Sequence, residues 1–161
     1  MKHGTLNKQF RKEFSLAEQT FFQNLADYQD HLDALALKKR WRISKDVMKQ
    51  VDTLSSITRT SLRSYLDLKA KLHKHYESAV QAVKEKEHLA GSYTYTIEDE
   101  LTLDTGRSIV DEANDLFLSD HILLAIDKVY DANRCFSEMI VTIRNRWIEM
   151  HQQTITLLYQ E

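Results

Sequence analysis

The chain has 161 residues, of which 42% are apolar and 29% are charged, and its formal net charge is −2. This apolar content argues against a disordered chain, and no run approaches the roughly 18 consecutive apolar residues of a membrane-spanning helix. The single cysteine, Cys135, rules out an internal disulfide framework, and the first ten residues lack the apolar segment of a secretory signal. We therefore expect one domain, residues 1–161, located in the cytoplasm.

Composition and spacing predict an all-α fold. The sequence contains no proline and three glycines, and it is rich in residues that favour helices. Apolar residues follow one another by threes and fours in three long segments, as one face of a helix requires. These segments cover residues 7–40, 44–90 and 119–161, and a short helix is expected over residues 108–118. The predicted stripe of the last helix includes Ile122, Ile126, Val129, Ala132, Phe136, Ile140, Ile143, Trp147, Met150 and Leu157.

Capping residues suggest where these helices begin and end. Ser15 with Glu18 resembles a capping box, so a bend near Phe14 is an alternative to one continuous first helix. Ser44 is a good N-cap for the second helix, and Gly91 suits the position after its end. The predicted caps of the last two helices are Ser108 with Asp111, and Ser119 or Asp120.

The segment from residue 92 to 106 breaks the helical pattern. Tyr93, Tyr95 and Ile97 alternate with threonines, and a period of two is typical of a strand. An irregular loop or a hairpin turning at Glu98 and Asp99 is the preferred interpretation, and a short helix capped by Thr96 is the alternative. The predicted fold is thus an elongated antiparallel helical bundle of three long helices and one short helix, with this insertion.

The charges are unevenly distributed, which matters for the choice of partner. Residues 38–75 carry a net charge of +8 and residues 76–131 a net charge of −9. Neighbouring helices that neutralise each other are the simplest explanation. The densest basic patch lies between the first two helices and is a candidate contact for nucleic acid or anionic lipid, although its residues also suit a helix end with a core-closing Trp. Its residues are Lys38, Lys39, Arg40, Trp41, Arg42 and Lys45.

Metal and cysteine chemistry find little support in the spacing. His73 and His75 are two residues apart and face different sides of a helix, and the pair Glu85 and His88 occurs once, whereas di-iron bundles use two such pairs. The predicted stripes contain no acidic residue at core positions. We interpret Cys135 as a small buried apolar residue. We expect no metal, no cofactor and no small-molecule substrate, because the phosphate-loop, dinucleotide, zinc-protease and serine-hydrolase motifs are absent.

One segment of the chain resembles a known catalytic motif. Residues 144–151, RNRWIEMH, resemble the motif of the HEPN ribonucleases, in which Arg and a polar residue are followed a few residues later by His. That family is all-α and acts as dimers. The resemblance implies that Arg144 stabilises charge and His151 acts as acid or base when an RNA 2′-hydroxyl attacks. The two residues share one helix face, about 10 Å apart along the axis, whereas Arg146 points elsewhere.

The width of the apolar faces favours a different function. Ten apolar residues flank the predicted stripes, so the faces are wider than a two-helix seam requires. We expect a non-enzymatic protein–protein interaction module of adaptor, chaperone, effector or scaffold type, whose partners include a second copy of the chain. A metal-independent ribonuclease and a weak binder of nucleic acid or anionic membrane are the alternatives. The flanking residues are Phe22, Met48, Ile57, Leu66, Val80, Leu123, Leu124, Val141, Ile148 and Leu158.

Overall fold

The computed structural model describes residues 6–37 and 45–160, and it is all-α. Four helices follow one another: α1 Lys8–Leu37, α2 Lys45–Tyr93, α3 Ile97–Leu118 and α4 Ile122–Gln160. The described residues contain no strand, which confirms the predicted fold class. Helix α1 runs without a break through Ser15, so the continuous first helix is the correct alternative. None of the described helices is both long and apolar enough to cross a membrane.

The chain divides into two compact units, Met1–Leu72 and His73–Glu161, with the boundary inside α2. A single domain over residues 1–161 stays a prediction. In the first unit, α1 and the N-terminal half of α2 form an antiparallel pair. Asn24 donates from its side-chain amide to Ser61 Oγ at 3.2 Å, and Tyr65, further along α2, donates to Glu18 Oε2 at 3.3 Å. The predicted N-cap Ser44 lies outside the described residues.

An aromatic cluster holds this pair of helices together. The ring of Tyr65 stacks against those of Phe14 and Phe21, with centroid distances of 5.7 Å in both cases. Burial raises the pKa of the Tyr65 hydroxyl, although Lys69, whose ammonium lies 5.5 Å from the ring centroid, opposes this shift. Phe14 and Tyr65 are both buried, so the cluster forms part of the core of the first unit.

The second unit is a three-helix bundle built from residues 73–93 of α2, α3 and α4. Helix α4 runs parallel to α2, since His75 is hydrogen-bonded to Tyr130 and Lys86 Nζ donates to Ser137 Oγ at 2.8 Å. Helix α3 is antiparallel to both, with the rings of Tyr76 and Phe117 stacked at 4.3 Å. Most of the core comes from one face of α4, where the buried residues are Ile122, Ala125, Ile126, Val129, Ala132, Phe136, Met139 and Ile143.

The preferred hairpin or irregular loop over residues 92–106 is wrong, and the helix capped by Thr96 is correct. Thr96 Oγ1 accepts a hydrogen bond from the Asp99 backbone N–H at 3.1 Å, and the Asp99 carboxylate accepts one from the Thr96 N–H. This reciprocal pair is a capping box, which satisfies two N–H groups at the start of α3. Asp99 is buried, although it lies outside the predicted helical stripes.

Three predicted helix ends are corrected as well. Helix α2 continues through Gly91 to Tyr93, and Ser108 and Asp111 lie inside α3. Ser119 and Asp120 end α3 instead of starting α4: Asp120, with a φ of 66°, donates its N–H to Phe117 O, and His121 donates to Leu116 O. This is the Schellman arrangement of a helix C-terminus.

Candidate interaction surface at the C-terminal end of α4

The core-facing stripe of α4 continues well beyond the core. Phe136, Ile140 and Ile143 are followed at the same spacing by Trp147, Met150, Thr154 and Leu157. Ile143 is 2% exposed, whereas Trp147 is 52% and Leu157 is 65% exposed. The change occurs within one helical turn. We call residues 147–160 the α4 tail.

The tail is exposed because its neighbours in the bundle end before it. Arg146 lies beside Asp99, in the first turn of α3, and α2 ends at Tyr93. Since α3 runs antiparallel to α4, residues beyond Arg146 pass the start of α3. The 14 tail residues continue for about 21 Å at the usual rise of an α-helix.

An ion pair between a buried aspartate and a half-buried arginine fixes the position from which the tail starts. Arg146 donates to Asp99 through both terminal nitrogens, with Nη2 to Oδ1 at 2.8 Å and Nη1 to Oδ2 at 3.1 Å. These hydrogen bonds, with those from Thr96 and the Tyr95 backbone, lower the pKa of Asp99 to about 2. A bidentate pair constrains both distance and orientation, so it sets the register of α4 against the α3 N-terminus.

Tyr95 covers the outer side of this pair. The Arg146 guanidinium lies 5.1 Å from the centroid of the Tyr95 ring. The hydrogen bonds of Arg146 to Asp99, together with the nearby Tyr95, raise the pKa of Arg146 above its usual value. Arg146 is therefore a structural cation, consistent with the prediction that it points away from the face of Arg144 and His151.

The tail is amphipathic and almost uncharged. Seven of its side chains are large and apolar, and at 100° per residue they occupy an arc of about 200°. The opposite face carries Gln152, Gln153, Thr156 and Gln160, and Glu149 is the tail's one formal charge. The seven apolar residues are Trp147, Ile148, Met150, Ile155, Leu157, Leu158 and Tyr159.

The two residues of the HEPN-like motif are placed on the solvent side. Arg144 and His151 are both exposed, and the His151 ring stacks on Trp147 at 5.0 Å, with Nδ1 3.1 Å from Trp147 O. Both residues thus lie on α4, and His151 packs against Trp147 of the apolar surface. The ribonuclease function stays a prediction.

Lys45 is the one residue of the basic patch that the structure describes. Lys38, Lys39, Arg40, Trp41 and Arg42 lie outside the described residues. Lys45 is exposed in the first turn of α2. Binding of nucleic acid or anionic lipid by this patch stays a prediction.

His73 and Cys135 both contact residues of the three-helix bundle. Among the described residues, no group of three or more His, Cys, Asp or Glu side chains could hold a metal ion. His73 packs edge-on against Phe117. Cys135 is half-buried in a cleft of about 360 Å³ between α3 and α4, and its thiol lies 3.8 Å from Thr102 O. Burial and the nearby Glu138 raise the pKa of this thiol, which makes it a poor nucleophile at neutral pH.

The sequence identified the apolar surface but placed part of it in the core. Trp147, Met150 and Leu157 belong to the predicted buried stripe, and this is wrong because all three are exposed. Of the ten flanking residues, eight are exposed, whereas Val80 and Leu123 are half-buried. The Asp99–Arg146 pair was missed, since its members lie 47 residues apart and share no motif.

No protein-family model, curated protein or solved structure matches the chain.

Proposed function

We propose that this protein is a non-enzymatic helical interaction module, of adaptor, chaperone, effector or scaffold type, and that the α4 tail is its contact surface. The observation that carries the proposal is the continuation of the core stripe into solvent. Ile143 is buried, and Trp147, one turn later on the same stripe, is half-exposed. Large apolar surfaces of this kind mark sites where another molecule binds.

The composition of the tail favours a protein partner. Trp and Tyr are enriched at the centres of protein interfaces, and charged residues are depleted there. The tail has both aromatic residues and a single charge, whereas 29% of the whole chain is charged. An amphipathic helix of this length presents anchors one or two turns apart, which suits a groove or another helix.

The ion pair between Asp99 and Arg146 favours a contact surface that is ordered before a partner binds. Because Arg146 is held by Asp99 through two hydrogen bonds, the first tail residue, Trp147, has a fixed position relative to the bundle. A contact surface that is already ordered loses less conformational entropy on binding. This is a reason to expect measurable affinity from a short helix.

The test is partner capture with matched variants of the full chain. The first variant, Trp147→Ser/Leu157→Ser, removes two exposed apolar anchors. The second variant, Gln153→Ser/Thr156→Ser, is the control, because it places the same number of serines on the opposite face. We expect the wild type and the second variant to retain the same polypeptides by mass spectrometry, including untagged copies of the chain, and the first variant to lose them. Equal retention by all three would contradict the proposal.

Enzymatic activity provides an independent check. A non-enzymatic module should leave a radiolabelled RNA intact without added metal. Cleavage that disappears in both Arg144→Ala and His151→Ala, with unchanged circular dichroism, would instead support the ribonuclease.

A further inference from the structure

Within residues 147–158 of the α4 tail, the apolar pattern is the same when it is read from either end, and Tyr159, the seventh apolar residue, lies outside this symmetric segment. The midpoint of the pattern lies between Gln152 and Gln153 in the segment WIEMHQQTITLL, residues 147–158. Each apolar residue before the midpoint has an apolar counterpart at the same distance after it. The counterparts are Trp147 with Leu158, Ile148 with Leu157, and Met150 with Ile155.

Such a pattern fits a helix that pairs with a second copy of itself in the opposite direction. A twofold axis perpendicular to two antiparallel helices places residues at equal distances from the midpoint at the same level. We propose that the tails of two copies pack antiparallel about a twofold axis between Gln152 and Gln153. This inference rests on the proposed function, since it takes the tail as the contact surface and names its occupant.

The helix geometry puts Trp147 and Leu158 in the middle of the apolar face around the helix, at the two ends of the symmetric segment along its axis. Trp147 and Leu158 are eleven residues apart, which at 100° per residue leaves them about 20° apart around the helix. Both are exposed, at 52% and 68%. In the antiparallel pair, Trp147 of each copy therefore faces Leu158 of the other, and the remaining apolar residues flank this contact.

The charge of the tail permits antiparallel pairing, because Glu149 lies on the polar face, opposite the Trp147–Leu158 contact. Glu149 is the tail's one formal charge, and in the antiparallel pair it lies at the level of Thr156 of the second copy. The two Glu149 side chains are then about 10 Å apart along the axis, near the Debye length at physiological salt. In a parallel pair they would lie at the same level.

A lipid surface fits the tail less well than a second copy does. Helices that bind at membrane interfaces usually carry Lys or Arg on their polar face. The polar face of the tail carries glutamines, a threonine and Glu149. Binding of the full chain to anionic or neutral vesicles, with no change in mass in their absence, is therefore an outcome that would contradict the proposal.

The first test is the mass of the full chain by sedimentation equilibrium over a range of concentrations. We expect a monomer–dimer equilibrium for the wild type and for the polar-face control Gln153→Ser/Thr156→Ser. Leu157→Ser/Leu158→Ser should raise the dimer dissociation constant by about 100-fold or more, because each copy loses two apolar contacts. A monomeric wild type, or a dimer insensitive to these changes, would overturn self-pairing.

A monomeric wild type would leave the interaction-module proposal standing if the capture experiment still recovered a different polypeptide through the tail. The two proposals therefore fail separately. Loss of tail-dependent capture, in contrast, would contradict both of them.

The direction of pairing is tested by distances between spin labels, in a Cys135→Ser background. Single labels at Gln152→Cys and at Gln160→Cys sit on the polar face, away from the contact. In the antiparallel pair, the two copies of position 152 are about 1.5 Å apart along the axis and those of position 160 about 22 Å. We expect a distance at least about 10 Å longer for position 160. Equal distances would show a parallel pair and contradict the antiparallel arrangement.

Discussion

Because Gly106 has no side chain beyond a hydrogen atom, α3 and α4 approach each other closely at this residue. Gly106 is buried in the middle of α3, and a Cβ added there would lie 2.6 Å from Phe136 Cζ. Phe136 is fully buried in α4, so its ring has little room to move. Glycine at this position costs helix propensity but lets the Phe136 ring pack directly on the α3 backbone.

We expect Gly106→Ala to lower the free energy of unfolding by about 1–2 kcal/mol, since overpacking outweighs the gain of about 1 kcal/mol that alanine brings to a helix. Gly91→Ala is the matched control, because its Cβ would meet Leu103 at an ordinary 3.8 Å. It should raise the free energy of unfolding by about 0.5–1 kcal/mol. Urea denaturation measures both, and a stabilised Gly106→Ala would show that the two helices are further apart.

The carboxylate of Asp99 has two roles: it caps α3 and it binds Arg146. Asp99→Asn keeps the shape but removes the charge and leaves the guanidinium with weaker acceptors. We expect a loss of about 1–3 kcal/mol at neutral pH, as for other buried groups deprived of a partner. Asn does not titrate, so the variant also tests the pH dependence.

The direction of that pH dependence follows from the pKa of Asp99, which is lowered from 3.8 to about 2 in the folded state. A carboxylate with a depressed folded pKa stabilises the protein above its unfolded pKa. This stabilisation is lost as the pH falls from about 4 to about 2. The gap between wild type and Asp99→Asn in urea midpoints should therefore narrow over this range. A constant gap would mean that the ion pair does not contribute.

At the scale of elements, the start of α3 is governed by its cap. Thr96→Ala removes the side-chain acceptor for the Asp99 N–H, and we expect it to cost about 1 kcal/mol. Thr105→Ala, where the hydroxyl donates to Leu101 O within the helix, is the control and should cost less. Urea denaturation at neutral pH is again the measurement. Equal effects would indicate that the capping box is unimportant for stability.

The four helices show which patterns the sequence carries and which it does not. Long stripes such as that of α4 predict helices well, because their spacing extends over many turns. The alternation of Tyr93, Tyr95 and Ile97 is short and misleading: Ile97 is 78% exposed, so the alternation does not mark a buried face. Thr96 and Asp99 provided the correct signal, a threonine with an acidic residue three positions later.

The candidate surface was predictable only in part, for a geometric reason. Periodicity shows which face of a helix is apolar, but whether that face is covered depends on where neighbouring helices end. Trp147 and Met150 lie on the stripe of Ile143, yet α3 begins beside Arg146 and leaves them open. The Asp99–Arg146 pair that sets this limit is a contact between two helices, which local sequence does not encode.

For the molecule as a whole, the proposed partner of the α4 tail is the tail of a second copy of the chain. This makes the protection of the tail dependent on concentration. The buried face of α4, by contrast, is protected within each copy, because its partners are α2 and α3. The two parts of one helix are thus expected to respond differently to dilution.

Amide hydrogen exchange of the full chain at low and high protein concentration tests this claim most directly. We expect residues 147–160 to exchange at least about tenfold more slowly in concentrated than in dilute solution, with residues 122–143 protected equally in both. Tail exchange that is the same at every concentration would contradict the account.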